Sequence, residues 1–175
     1  MPSAAAPSLD LSRLPPPLAV TSLDYEELLA ARIADLRARW PAFDALVESD
    51  PALRLQEVDA YRELLALGRI NDAVRAGFVA FAIDADLDHL GAFHALVRHE
   101  LVAADGDTPA VMESDADFRR RILLASETLA ASGPPAAWVA HSLAADPRVH
   151  HADVWSSAPG QVDVAIQARP DLDGD

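Results

Sequence analysis

The longest apolar pattern in the chain begins after Asp50-Pro51 and follows helical spacing. Asp50 is a favoured N-cap residue, and Pro51 suits the first turn of a helix because its missing N–H is not needed there. The main apolar line consists of Leu64, Leu67, Ile70, Val74, Phe78 and Phe81. A second line beside it consists of Val58, Tyr61 and Leu65. The pattern predicts one long helix over about residues 51–83, with more apolar surface than its own domain covers.

Shorter patterns predict the remaining elements. The first predicted helix starts near Thr21 to Asp24 and ends at Pro41, and the long helix is the second. A third helix is predicted over about residues 86–101, a fourth with Ser114 as its cap, and a fifth near residues 135–145. Beyond the fifth helix, Val162, Val164 and Ile166 alternate with polar or small residues, which predicts a strand. A strand over 149–156 and the turn sequence Ala-Pro-Gly-Gln before the alternating segment complete a β-hairpin.

The N-terminal segment is predicted to be an extended arm. It contains three consecutive prolines, Pro15–Pro17, which exclude helix. Leu11 and Leu14 make the arm too apolar for a linker, so we expect it to lie on another surface, such as that of another subunit. The resulting fold class is α+β, mostly α, with a long-helix bundle and a C-terminal β-hairpin. The predicted division is an arm (1–20), a helical hairpin or bundle with the long helix (21–112), two helices plus the hairpin (113–168) and a disordered tail (169–175).

Charge and composition narrow the function classes. The chain of 175 residues has a formal net charge of −14, with 28 acidic and 14 basic residues, and every basic residue is arginine. This balance argues against nucleic acid and anionic membranes as partners, because both require a basic surface. The absence of cysteine excludes disulfides and thiolate metal sites. No signal peptide or membrane-spanning apolar run is recognisable, which predicts a soluble protein made in the cytoplasm.

Candidate chemistry is sparse. His151 and Asp153 share one face of a predicted strand and could act as a metal-binding or base–orienter pair, although no third ligand is evident. No nucleophile elbow, phosphate-binding glycine loop or dinucleotide fingerprint occurs. We therefore predict no catalytic residue, no metal site and no cofactor. Asn71 interrupts the main apolar line of the long helix, and such a residue favours a role in fixing register or partner choice.

Several blocks of sequence, taken in order, resemble the baseplate J family, the baseplate assembly protein J of contractile bacteriophage tails. The resemblance covers about residues 9–168. Its blocks are Asp10–Pro17, Leu53–Leu65 continuing through Arg69–Ala73, Ala85–Leu90, Glu113–Ile122, Gly133-Pro134 through Asp146–Val149, Val154, and Pro159–Val162.

The resemblance implies a structural subunit of a baseplate wedge and no catalysis. It implies two copies of this protein joined to one copy of a third wedge protein through a bundle of long helices. Six such wedges encircle a hub, with a small lysozyme-like wedge protein and the sheath as neighbours. Family members are generally longer and continue past the hairpin. A natural end at Asp175 and a truncated chain therefore both stay open.

We accordingly expect a structural component of the baseplate wedge of a contractile tail, in a phage, a tailocin or a related injection system. It would lie in the virion tail baseplate, link wedge subunits through helical-bundle contacts and relay the conformational change that triggers sheath contraction. The expected subunit interface comprises Leu11, Leu14, Leu64, Leu67, Ile70, Asn71, Val74, Phe78, Phe81, Val162, Val164 and Ile166. The alternatives are a small metal-dependent hydrolase that uses His151 and Asp153, and a free-standing helical adaptor.

Overall fold

The structure, a computed structural model, describes residues 10–43, 50–130 and 133–169. The chain divides into two units. Pro15–Arg75 forms the first, called here the two-helix unit; the chain from Ala76 onward, together with the segment that ends at Leu14, forms the second, called here the mixed unit. The predicted α+β class, mostly α with a C-terminal hairpin, is confirmed. Most of the predicted 169–175 tail, the start of the predicted arm and part of the connection after Pro41 lie outside the described residues.

The two-helix unit contains α1 (Tyr25–Arg39) and α2 (Pro51–Ala76). The side chain of Asp24 caps α1 by accepting hydrogen bonds from the backbone N–H groups of Glu26 and Glu27, at 2.9 and 3.1 Å. Asp24 and not Thr21 is therefore the N-cap, at the later end of the predicted start. Asp50 lies at the start of α2 as predicted, and its carboxylate accepts from the N–H of Ala52 at 2.8 Å.

α1 runs antiparallel to α2. Residues nearer the end of α1 contact residues nearer the start of α2, as two contacts show. Leu23, just before α1, contacts the position of Gly68. Further along α1, the guanidinium of Arg32 forms an ion pair with the carboxylate of Glu63 at 2.7 Å. Both of these side chains are about one-third exposed, so we assign the ion pair only a small stabilising effect, of about 0–1 kcal/mol.

α2 ends at Ala76, so its predicted continuation to about residue 83 is wrong. Gly77 follows directly, and glycine disfavours helix by about 1 kcal/mol relative to alanine. The next residues form a separate turn in which the N–H groups of Phe81 and Ala82 donate to the carbonyl of Phe78. The guanidinium of Arg119 donates to the carbonyls of Val79 and Ala82, both at 2.6 Å, and these carbonyls would otherwise extend a helix. Tertiary contacts thus override the helical periodicity here.

α3 (Asp84–Ala92) is also shorter than predicted, because a Schellman motif ends it. The N–H of Leu96 donates to the carbonyl of Gly91, and the N–H of Ala95 donates to that of Ala92. Ala95 takes the left-handed conformation that this motif requires, with φ of 55°. Phe93 and Val97 fall inside the longer predicted helix; in the structure they lie beyond the end of α3 and are 85% and 77% exposed.

Replacing Ala95 with glycine is expected to stabilise the protein by about 1 kcal/mol. The left-handed conformation costs an L-residue about 1–2 kcal/mol, and glycine avoids most of that cost. The greater entropy of glycine in the unfolded chain offsets part of this gain. Chemical denaturation with an unchanged m-value would measure the gain. Ala92→Gly, inside α3, is the matched control and should destabilise by about 1 kcal/mol; equal effects of both substitutions would contradict the assignment of the motif.

The rest of the mixed unit consists of short elements. They are β1 (Glu100–Val102), β2 (Val111–Met112), α4 (Asp115–Leu124), a 3₁₀ helix (Ala125–Leu129), α5 (Pro135–Ala145), β3 (Val149–Trp155) and β4 (Asp163–Ala168). β1 pairs antiparallel with β2, and β3 pairs antiparallel with β4. The β1–β2 pair was not predicted, because a strand of two or three residues is too short to show alternation. Ser114 caps α4 as predicted, accepting from the N–H of Asp117 at 3.2 Å.

Two hydrophobic clusters hold the mixed unit together. The Phe118 cluster consists of Ala82, Leu87, Phe118 and Ile122, with Val79, Leu90 and Leu96 packed against it. The Val154 cluster consists of Val139 and Leu143 of α5 and Val154 of β3, with Leu124 and Val149 beside them. β3 carries one extra residue, His150, between its first two pairings with β4. α4 contributes to both clusters and so connects the two halves of this unit.

Candidate interaction surfaces

α2 presents two apolar faces with different exposure. Of the main line, Leu64, Leu67 and Val74 are half-buried. The second line remains open, because Val58, Tyr61 and Leu65 are 50%, 54% and 52% exposed. Leu55, 65% exposed, extends this second line toward the start of the helix at a spacing of three. We call Leu55, Val58, Tyr61 and Leu65 the α2 stripe.

The other residues expected at a subunit interface are scattered over different elements. Ile70 lies on α2 and is 54% exposed. Phe78, 49% exposed, and Phe81, half-buried, lie in the turn after α2 and not on the helix. Leu11 lies in a 3₁₀ turn and is half-buried, and Leu14 is 45% exposed. Their contact with another subunit stays a prediction.

Asn71 is buried and bound within the two-helix unit. The residue is 3% exposed. Its side-chain amide forms two hydrogen bonds with the backbone of Thr21. Its Oδ1 accepts from the Thr21 N–H at 2.9 Å, and its Nδ2 donates to the Thr21 carbonyl at 2.8 Å. This pairing fixes the segment before α1 against α2 and explains a polar residue in the main apolar line. A role for Asn71 in the register between subunits stays a prediction.

Replacing Asn71 with leucine is expected to lower the free energy of unfolding by about 2 kcal/mol. The substitution removes two hydrogen bonds and leaves the Thr21 backbone groups to be satisfied by water alone. Asn71→Asp keeps the acceptor but places a buried carboxylate oxygen against the Thr21 carbonyl, so at neutral pH it should destabilise at least as strongly. Thermal unfolding measures both. Unchanged stability combined with lost binding to a partner subunit would contradict the intrachain role.

The outer strand of the C-terminal hairpin forms a further open surface. Val164 and Ile166 of β4 lie directly opposite the buried residues Val154 and Ala152 of β3. α5 packs on β3 and covers those two residues, whereas Val164 and Ile166 are 39% and 59% exposed. Val162, just before β4, is 45% exposed. The three predicted interface residues of this strand therefore share one open face.

Three consecutive arginines of α4 bind three different segments. The side chain of Arg119 donates to the turn after α2, as described above. Arg120 donates to the carbonyl of His150 at 3.2 Å and contacts Nδ1 of His151 at 3.0 Å. Arg121 donates to the carbonyl of Val97 at 3.2 Å. Successive helical residues point in different directions, so this run connects segments and does not form a basic patch.

A buried ion pair lies next to the Phe118 cluster. The carboxylate of Glu113, whose side chain has no exposed surface, accepts from the guanidinium of Arg121, which is 9% exposed. The same oxygen, Oε2, accepts from the backbone N–H of His99 at 3.1 Å. The guanidiniums of Arg98 and Arg121 also lie over the Phe118 ring, at 5.0 and 5.7 Å from its centroid. Two guanidiniums thus pack on this aromatic side chain, whose other neighbours are apolar.

Asp115, at the first turn of α4, is held in its ionised form. Burial alone would raise the pKa of its carboxyl. The hydrogen bond from the backbone N–H of Asp84 and the ion pair with Arg98 outweigh that effect, so the pKa lies below its ordinary value of 3.8. Arg98 also pairs with Asp88 and donates to the carbonyl of Glu113 at 2.9 Å. These contacts connect α3, the strand-forming segment and α4.

The Asp115 contacts are expected to weaken in acid. Because the folded-state pKa lies below the unfolded one, their stabilising effect is full above the unfolded pKa of about 3.9 and is lost as pH falls through the lower folded-state value. Asp115→Asn should destabilise the protein at pH 6, and the gap to the parent should shrink as pH falls below 3.8. Thermal melting from pH 6 to pH 2.5 measures the gap; a gap independent of pH would contradict the account.

His151 and Asp153 lie on the same face of β3, as predicted, with the His151 Nε2 atom 3.5 Å from the Asp153 carboxylate. The other ring nitrogen of His151 contacts the guanidinium of Arg120. Among residues 10–43, 50–130 and 133–169, no group of three histidine, aspartate or glutamate side chains is placed to hold a metal ion. A positive charge beside the ring also disfavours a metal ligand there. The hydrolase alternative has no support in this geometry.

Two comparisons show which known proteins this chain is similar to. Residues 48–105 match the family described as the Baseplate J-like N-terminal domain. Over 174 aligned residues the chain is 40% identical to Baseplate protein J of Escherichia phage P2, and the alignment covers 93% of this chain. The predicted resemblance to the baseplate J family is confirmed.

The baseplate J match contains one of the open surfaces described above. Residues 48–105 include all of α2, and therefore the α2 stripe, together with α3. The chain spans 58% of the length of the phage P2 relative.

In the part of the chain that the structure describes, no helix is both long and apolar enough to cross a membrane.

Proposed function

We propose that this chain is a structural, non-enzymatic component of the baseplate of a contractile tail, in a phage, a tailocin or a related injection system. The observation that carries the proposal is the 40% identity to Baseplate protein J of Escherichia phage P2 along nearly the whole chain. In the finer form of the proposal, the chain is a wedge subunit located in the virion tail baseplate. Its partners there are a second copy of itself and other wedge proteins, with the lysozyme-like wedge protein, the hub and the sheath as neighbours.

The α2 stripe supports a contact with another helix. Four large apolar side chains at spacings of three and four, each at least 50% exposed, form the kind of surface that a second amphipathic helix covers. Arg62 and Arg69 lie at helical spacing along the same side, after Val58 and Leu65 respectively. Because these two arginines border the apolar side chains, a partner helix with acidic residues along its edge fits this side. We propose that it joins an inter-subunit helical bundle.

The proposed mechanism is packing at several such surfaces. The arm that contains Leu11 and Leu14 binds a neighbouring subunit, the α2 stripe joins the bundle, and the open face of β4 meets further β structure. A change in these contacts between two arrangements would relay the signal that triggers sheath contraction. The role thus needs complementary partner surfaces and no reaction chemistry.

The location is tested in particles purified from a producing strain. A copy of the chain with a C-terminal epitope tag should label the baseplate end of the tail in electron micrographs, and deletion of its gene should abolish complete tails. Labelling of the sheath or the head, or normal tails without the gene, would overturn the proposal.

The role of the α2 stripe is tested by restoring tail assembly with variant genes. Val58→Glu/Leu65→Glu should fail to restore tails although the purified variant melts like the parent, because both side chains are at least half exposed. Ala38→Glu, on the exposed surface of α1, is the matched control and should restore them. Normal assembly with the double variant would show that the stripe is not an interface.

A further inference from the structure

β4 has an open edge next to an open apolar face. Among the described residues, β4 pairs on one side only, with β3. Its sequence, Asp-Val-Ala-Ile-Gln-Ala, contains none of the lysines or prolines with which proteins commonly block such edges. Among the described residues, no strand pairs with the backbone groups on the other side of β4, which is six residues long.

The sequence of β4 is suited to antiparallel pairing with itself. A two-fold axis through Ala165 places Val164 opposite Ile166 of a second copy, so that the apolar face continues across the junction. On the other face the same axis places Asp163 opposite Gln167, a carboxylate opposite an amide, and avoids two carboxylates facing each other. Asp163 is ionised over the neutral range, since hydrogen bonds from the Ser157 and Gln161 side chains lower its pKa. A charged acceptor therefore meets an amide donor at both ends of the pairing.

We propose that β4 is the edge through which two copies of this chain pair, in antiparallel register about Ala165, to form a continuous four-stranded sheet. This surface is distinct from the α2 stripe. The pairing is a property of the edge itself and does not require the proposed baseplate role.

The position of α5 favours the same arrangement. A two-fold axis perpendicular to the sheet keeps both α5 helices on one face, each over its own β3. The two β3 strands are then three strand spacings apart, about 14 Å. Helices with their side chains are about 10 Å wide, so the two helices flank the row formed by Val164 and Ile166 from both copies and shield it. In a single copy these two residues are 39% and 59% exposed.

The first test uses cysteine cross-linking, which is unambiguous here because the chain has no cysteine of its own. Ala165→Cys should form a disulfide-linked dimer under mild oxidation, since residues opposite each other across the axis have Cα atoms about 4.5–5.5 Å apart, within the span of a disulfide. Asp153→Cys, on the same face of β3, is the matched control. In the proposed dimer the Cα atoms of residue 153 in the two copies lie about 14 Å apart, so this variant should not cross-link. Equal cross-linking at both sites, or none at Ala165→Cys, would overturn the proposal.

The second test uses charge at a single exposed position. In sedimentation experiments across concentration, Gln167→Lys should strengthen dimerisation because each new lysine faces Asp163 of the other copy. Gln167→Glu should weaken it by placing two carboxylates opposite each other. Each change applies twice, so the dissociation constants should shift by roughly 2- to 30-fold in opposite directions. A monomer at all concentrations for the parent and Gln167→Lys would overturn the pairing and leave the baseplate proposal untouched, since particle labelling tests that role separately.

Discussion

Replacing Arg121 with methionine is expected to lower the free energy of unfolding by about 3–5 kcal/mol, because it leaves the buried carboxylate of Glu113 without its ion-pair partner. The Glu113 side chain has no exposed surface, and its Oε1 has no hydrogen-bond partner among the described residues. After the substitution, only the His99 N–H would remain on Oε2. Chemical denaturation at pH 7 measures the loss.

Two further variants separate the buried charge from other effects of removing an arginine. Arg39→Met removes the exposed ion pair with Asp35 and should change stability by less than about 1 kcal/mol. The double variant Glu113→Leu/Arg121→Met should recover part of the stability lost in Arg121→Met, because an apolar pair needs no compensation for a buried charge. A double variant less stable than Arg121→Met would show that the carboxylate itself stabilises the fold.

Replacing Gly91 with alanine is expected to destabilise the protein by about 3 kcal/mol. A Cβ atom at Gly91 would lie 2.8 Å from Cε1 of Phe118 and closer still to Cζ, so either the ring or the helix must shift. Phe118 is fully buried, and the guanidiniums of Arg98 and Arg121 lie over its ring, so it cannot move aside without breaking other contacts. Overpacking of this kind exceeds the gain in helix propensity from glycine to alanine.

The matched control for Gly91→Ala is Gly68→Ala on α2. There the nearest atom to an added Cβ is 3.8 Å away, an ordinary contact, so the substitution should stabilise by up to about 1 kcal/mol. Phe118→Leu should partly rescue Gly91→Ala by removing the ring atoms that clash. Equal effects of the two glycine substitutions in thermal unfolding would contradict the assigned contact.

The sequence predicted what depends on local chemistry and on periodicity that runs uninterrupted. Asp50 and Ser114 cap their helices as expected, and the hairpin of β3 and β4 follows from alternation and a Pro-Gly turn. Two helix ends were wrong for the same reason, since each depends on long-range or cap contacts. Arg119 binds the carbonyls after Ala76, and Ala95 takes a conformation usually occupied by glycine. The apolar pattern continues past both helix ends, so periodicity alone does not show where either helix stops.

The candidate surfaces show the same limit. Both apolar lines of α2 were visible in the sequence, but the main line was assigned to a subunit interface, whereas the structure leaves the second line more exposed. Arg62 and Arg69 distinguish the two apolar lines, because both arginines lie on the side of the second line. A polar residue such as Asn71 within the main line gave no such guidance, because its partner, the backbone of Thr21, is fifty residues away.

The exclusive use of arginine lets single side chains of the mixed unit bind several groups at once. Arg98, Arg119, Arg120, Arg121 and Arg169 connect its segments through carbonyls, carboxylates and a histidine ring. A guanidinium presents several donors in a fixed plane, whereas a lysine offers one nitrogen on a flexible stem. Arg98 alone reaches Asp88, Asp115 and the carbonyl of Glu113. Lysine at these positions would therefore keep the positive charge and lose part of each connection.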